Sequence, residues 1–215
     1  MGGVERRACL IDALGTMVRL DPPWERISPT VVEGVAPAKV RDAFSAEMAF
    51  YAAHAHEARD AEELAELRSR CAALLSRGLG REVDVATMME AIAFGAYDDA
   101  APALRELRGM GLRILCVSNW DYALSEVLER IGLAKLLDGV VTSATSGFRK
   151  PDPAIFGVAL EMAGCAAGEA IHVGDSDADV AGARAAGIEV LRIDRSGRGE
   201  GDIASLNEIV QHLRA

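Results

Sequence analysis

Short apolar runs closed by small or acidic residues recur along the chain, and between them apolar positions shift to helical spacing. Ala8–Ile11 is the first run, closed by Asp12 and the small-residue turn Ala13-Leu14-Gly15-Thr16. A strand covered on both faces loses its alternation and reads as such a run. From Met17 to about Asp98 the pattern is helical, with no convincing strand. Val40, Phe44, Met48 and Tyr51 form an amphipathic stripe within Ala38–Arg59, and Leu64, Leu67, Cys71 and Leu74 form another within Asp60–Leu79. Thr87–Phe94 predicts a further apolar helix, and Asp21-Pro22-Pro23-Trp24 a helix start or linker. Together these predict a small bundle of about four helices.

After Asp98 strands and helices alternate. Leu112–Val117, Gly139–Thr142, Ala170–Val173 and Ile188–Ile193 predict strands. Asp99–Met110, Tyr122–Ile131, Ala154–Ala163, Val180–Ala186 and Leu206–Leu213 predict helices, most of them stopped by a glycine. Such alternation implies right-handed crossovers and a parallel sheet, hence an α/β fold. The expected division is 1–16 with 99–215 as one unit and 17–98 as a helical insertion.

Half of the 215 residues are apolar, enough for a sizeable core. The net charge of −10 argues against a nucleic-acid partner, whose phosphates it would repel. It leaves room for a small anion held locally with a cation. Cys9, Cys71, Cys116 and Cys165 show neither metal-ligand spacing nor a disulfide framework. No signal peptide or membrane-length apolar stretch is expected, so the default compartment is a reducing cytoplasm. Oligomeric state is left open.

Polar residues close the predicted strands: Asp12, Ser118-Asn119, Lys150 in the loop beyond the third strand, and Asp175 with Asp177 and Asp179. Each alone could cap a helix or face solvent. In a parallel sheet, however, all these strand ends point to one edge, where ligands bind. There Asp12 could present a nucleophilic oxygen. Gly15 and its neighbours, Ser118, Asn119 and Lys150 could hold an anion. Asp175 close to Asp12 would call for a hard divalent cation, with Mg²⁺ the natural candidate.

These segments resemble the haloacid dehalogenase superfamily of hydrolases: Asp12-Ala13-Leu14-Gly15-Thr16, Val117-Ser118-Asn119, Lys150-Pro151-Asp152-Pro153 and Gly174-Asp175-Ser176-Asp177-Ala178-Asp179. The resemblance implies a Rossmann-like core with 17–98 as a helical cap. It implies a covalent aspartyl intermediate on Asp12, phosphate contacts from Ser118 and Lys150, and catalytic roles for Asp12, Ser118, Asn119 and Lys150. It implies Mg²⁺ at Asp12, the Leu14 carbonyl and Asp175, with Asp179 at the metal, its waters or Lys150.

The chain departs from the superfamily's phosphatases at Leu14, where they usually carry a second Asp as general acid and base. Three readings follow. The first is a Mg²⁺-dependent phosphatase acting on a small anionic molecule, slow on alkyl esters or helped by an acid such as His54, His56 or Glu57. The second is a metal-independent 2-haloacid dehalogenase, whose relatives also lack that Asp and usually have an aromatic there. It would need a cap arginine, for which Arg19, Arg26 and Arg41 are candidates. The third is a catalytically weak binding or regulatory protein on the same fold. An imine-forming phosphonatase is disfavoured, because the insertion offers only Lys39. His172 is read as a hydrogen-bonded core histidine, and Trp24, Trp120, Asp121, Phe148 and Arg149 as residues that could line a cleft.

Overall fold

The five apolar runs read as strands become the five strands of one sheet. The computed structural model of the protein describes residues 6–214. In chain order its elements are β1 (Ala8–Ile11), β2 (Val18–Leu20), α1 (Pro23–Arg26), α2 (Pro37–His54), α3 (Ala61–Leu79), α4 (Val85–Ala91), β3 (Phe94–Ala96), α5 (Ala100–Gly109), β4 (Arg113–Ser118), α6 (Leu124–Arg130), β5 (Gly139–Thr142), α7 (Ser143–Ser146), α8 (Ala154–Ala163), β6 (Ala170–Gly174), α9 (Asp177–Ala185), β7 (Glu189–Arg192) and α10 (Asn207–Arg214).

The sheet order is β5-β4-β1-β6-β7, with every neighbouring pair parallel. The chain leaves β1 to build β4 and β5 on one side, then crosses back to build β6 and β7 on the other. The carboxyl end of β1 is therefore the point where strand order reverses, the usual ligand crevice of open α/β sheets.

Successive residues of the central strands enter opposite cores, which explains their unbroken hydrophobicity. Cys9, Ile11, Ile114, Cys116, Ile171 and Val173 pack on one face with Leu104, Leu107 and Ile209. Ala8, Leu10, Leu115, Val117 and Ala170 pack on the other with Ile155, Phe156 and Ala183.

The segment between β2 and β3 forms a separate apolar cluster around Phe44, Leu64, Leu67, Cys71 and Leu75. Trp24 packs against that cluster. α3 starts cleanly because the Asp60 side chain accepts from the backbone N–H of Glu62 and Glu63, and it stops at Gly80 in the left-handed region. Among the described residues, no helix is long and apolar enough to cross a membrane.

Two expectations are corrected here. Residues 17–98 are not wholly helical: β2 and β3 pair antiparallel, with Val18 opposite Ala96 and Leu20 opposite Phe94. A three-residue strand is too short to display alternation, so the helical period around it conceals it. The helix expected over Thr87–Phe94 runs instead over Val85–Ala91, capped by Asp84. Ile92 turns to extended backbone, and Phe94 begins β3. Met17 and Val18 pack with the sheet rather than with the helices.

Candidate active site

Asp12 follows β1 directly, its N–H still bonded to the Val173 carbonyl at 2.9 Å. The chain then reverses tightly, with Ala13 O accepting from the N–H groups of Thr16, Met17 and Val18. Gly15 has φ +82°, and a Cβ there would lie 2.0 Å from Asp175 Oδ2. Glycine is thus required twice, by the left-handed backbone and by the approach of the acidic loop.

The residues singled out at the strand ends converge. Asp12 is buried, and its Oδ1 accepts from Ser118 Oγ at 2.9 Å and from Lys150 Nζ at 2.6 Å. Lys150 Nζ also donates to Val117 O at 3.0 Å and to Asp179 Oδ1 at 2.5 Å. All three ammonium protons are therefore used. Asn119 takes a different place from the one expected. Its amide was assigned to the substrate, but its Nδ2 donates to Lys150 O at 2.9 Å and its Oδ1 accepts from Lys150 N at 2.8 Å. It clamps the backbone that carries the lysine.

Asp12, Asp175 and Asp179 offer oxygens that all lie within 4.8 Å of one another. They are not equivalent. Asp179 Oδ1 faces Lys150 and His172, and its Oδ2 accepts from Ser176 N and Oγ. Its acceptor positions are therefore filled by protein donors. Asp12 Oδ2 and the Asp175 carboxylate accept no hydrogen bond from another residue among those described. Asp177 points away, its side chain 93% exposed and paired with Arg192 at 2.8 Å.

Charge and burial pull these groups apart. Burial chiefly lifts the Asp12 carboxyl, to about 6, with Asp179 and Asp175 adding to the rise and Lys150 opposing it. Burial and then Asp179 raise Asp175. Burial works against the charge on Asp179, but Lys150 and His172 outweigh it and hold the carboxyl well below its ordinary range. Desolvation likewise opposes the Lys150 charge, and Asp12 and Asp179 overcome it.

His172 is a buried core histidine, as read. Its Nδ1 meets the Leu10 carbonyl at 3.1 Å, its Nε2 meets Asp179 at 2.9 Å, and Phe156 packs edge-on against its ring. Ser176 was missed as more than a cap: it caps α9 and also fastens Asp179.

Between the helices and the sheet edge, a cavity begins at Leu14, Asn119 and Trp120. His54, His56 and Glu57, the acids proposed from sequence, do not line it. His54 bonds the Phe50 carbonyl, and Glu57 pairs with Arg70. Arg19, Arg26 and Arg41 are exposed elsewhere, and Arg19 and Arg26 reach Asp21. The arginines on the cavity wall are Arg68 and Arg130. Lys39, Phe148 and Arg149 also lie off it, whereas Asp121 lines it. Glu47, Tyr51 and Arg68 were missed because polar residues on an amphipathic helix read as its wet face.

A family model described as haloacid dehalogenase-like hydrolase matches residues 6–187. Haloacid dehalogenase-like hydrolase domain-containing protein 3 of Bos taurus is 42% identical over 92 residues, which are 42% of this chain and 37% of that protein. The phosphoserine phosphatase of Thermus thermophilus is 38% identical over 136 residues, 62% of this chain and 55% of that one. The chain thus spans between about a third and just over half of these relatives' lengths. The L-2-haloacid dehalogenase of Xanthobacter autotrophicus with chloropropionic acid covalently bound shares the fold at TM-score 0.74, 21% identity, and coverage of 98% of this chain and 99% of that one. With the family match running through every segment that reaches the carboxyl edge, this chain belongs to the haloacid dehalogenase-like hydrolases.

Proposed function

We propose that the protein hydrolyses a small phosphate monoester through a covalent aspartyl phosphate on Asp12. The observation that carries this reading is the free Asp12 Oδ2. It lies in a buried site whose other Asp12 oxygen is held by Lys150 and Ser118, with Asp175 across from it. Relatives named as phosphatases support the same class.

The donor set fits a hard divalent cation. Three carboxylates face one ammonium, leaving an excess of negative charge, and the Asp175 carboxylate has no hydrogen-bond donor among the described neighbours. Asp12, Asp175 and the Leu14 carbonyl would hold Mg²⁺, with Asp179 behind them orienting Lys150. Once bound, Mg²⁺ would offset the repulsion between the carboxylate and the phosphoryl oxygens.

The protein groups then divide the work. Asp12 attacks phosphorus, the bond to the leaving oxygen breaks, and that oxygen departs with its electron pair. Lys150 and Ser118 stabilise the equatorial oxygens. Water then cleaves the aspartyl ester. The residues 17–98 act as a cap that closes the site from above, while 1–16 and 99–215 supply the chemistry. Leu14 can neither protonate a leaving group nor activate the water.

The dehalogenase reading keeps one specific support, since Leu14 suits a leaving group that needs no proton. The crowded carboxylates oppose it, because a cation on Asp12 weakens attack at carbon. A panel of small phosphates and 2-haloacids, with and without Mg²⁺, separates the readings. Phosphate release that needs Mg²⁺ and vanishes in Asp12→Asn is expected. Halide release without metal would replace the phosphatase reading, and neither product would end both.

A further inference from the structure

The cavity beside the site has a volume of about 260 Å³. Its wall is mostly apolar, with Leu20, Met48, Met89, Ile92 and Val127 contributing. Leu14, whose side chain is 42% exposed, lines it, so the position lacking an acid is itself part of this apolar wall. Phe94 and Trp120 also line it, their rings 5.0 Å apart and tilted. Aromatic walls of this kind favour a planar guest. An apolar protein cavity of about 150 Å³ holds benzene, so this one has room for a substituted or fused ring.

The polar groups on the wall are unequal. Tyr51 and Asp121 satisfy each other at 2.6 Å. Glu47 is buried, with 5% of its surface exposed, and forms no ion pair among the described residues. Burial raises its carboxyl above the usual range, with the Cys71 thiol opposing weakly. A buried acceptor in an apolar pocket is costly unless something donates to it.

We propose that this cavity receives the leaving group of an aryl phosphate whose ring carries a hydroxyl or amino donor, and that Glu47 accepts from that donor. The inference rests on the phosphatase reading above. Leaving-group chemistry and cavity shape agree independently. As the bond from Asp12 to phosphorus forms and the P–O bond to the ring breaks, the aryl oxide leaves with the electron pair. Its charge spreads into the ring, so it needs no proton from position 14 and takes one from solvent afterwards.

The test compares 3-hydroxyphenyl with 3-methoxyphenyl phosphate, whose leaving groups are nearly matched, alongside hexyl phosphate and acetyl phosphate. The hydroxyl ester should be favoured at least ten-fold in kcat/KM over the methoxy ester, and both aryl esters should exceed hexyl phosphate. In Glu47→Met, which keeps the volume, the hydroxyl preference should vanish through KM, while acetyl phosphate turnover is unchanged. Glu47→Gln, still an acceptor, should keep part of the preference. A second arm titrates the Asp12→Asn protein with 1,6-dihydroxynaphthalene by calorimetry, a readout that needs no turnover, and binding should be lost in the Asp12→Asn protein that also carries Glu47→Met. Acetyl phosphate turnover without aryl preference or diol binding would overturn this inference and leave the phosphatase reading standing. Diol binding with no phosphate release from any ester would overturn the phosphatase reading and the leaving-group assignment with it.

Discussion

Lys150→Met removes a cation whose side chain is 3% exposed and whose three protons all bond to oxygen. The substitution keeps most of the volume, so the loss is electrostatic. Asp12 and Asp179 then face each other in a buried site with no ammonium between them, and the Val117 carbonyl loses its donor. Breaking a buried ion pair from one side costs about 3–5 kcal/mol, because the surviving charge stays desolvated. For a chain of this size, each kcal/mol lowers Tm by about 2–4 °C, so a fall of about 6–20 °C is expected. The sign with pH is fixed by Asp12. Its folded pKa is already raised, to about 6, and loses the one influence that lowers it. The folded variant therefore binds a proton that the unfolded chain, titrating at about 3.9, releases. Stability of the variant should fall as pH rises through the folded value and recover as pH drops toward 4. Urea unfolding at pH 5 and pH 8, in chelator, measures this directly. Adding Asp12→Asn removes one of the stranded charges, so the double variant should be more stable than Lys150→Met alone. A loss under about 1 kcal/mol, or strictly additive losses in the double variant, would refute the account of the site as a mutually dependent charge cluster.

Three other outcomes are expected. Leu14→Asp supplies a general acid where none stands, and turnover of an alkyl phosphate such as hexyl phosphate should rise by about 10²–10⁴ while 4-nitrophenyl phosphate changes little; equal gains on both would show that protonation was not what was missing. Gly15→Ala places a Cβ against Asp175 on left-handed backbone, so any upward shift of Tm that the parent shows with millimolar MgCl₂ should shrink or disappear, whereas an undiminished shift would remove Asp175 from the cation site. Asp99 is held below the usual carboxylate range despite partial burial, by Arg195, Ser205 and the Leu206 N–H. Its contribution is present above the unfolded value and lost as pH falls through the folded one, so unfolding free energy between pH 5 and pH 3 should decline less steeply in Asp99→Asn than in the parent.

The order in which parts of this molecule can be read from sequence follows the range over which each is determined. The five sheet strands are legible because burial on both faces writes itself into consecutive residues, as in Ala8–Ile11 and Ala170–Gly174. The convergence of Asp12, Ser118, Lys150 and Asp175 is legible because parallel strands share one carboxyl edge, so register alone brings their ends together. β2 and β3 are not legible: each has three residues, and each is defined only by a partner far along the chain. The role of Asn119 is hidden for a similar reason. An amide at a strand end suggests a ligand contact until the loop bearing Lys150 is seen to use both of its bonding groups. The cavity is the hardest case. Glu47 occupies a helix position that would be solvent-facing in an isolated amphipathic helix, and only the approach of α2 and α3 to the sheet edge buries it. What the pattern does contain is Leu14. A bulky apolar residue in a turn otherwise made of small ones has no local reason to be there. It makes sense as one wall of an apolar enclosure that the rest of the chain completes. The same substitution that subtracts an acid from the reaction adds surface to the pocket, so chemistry and specificity at this site change together.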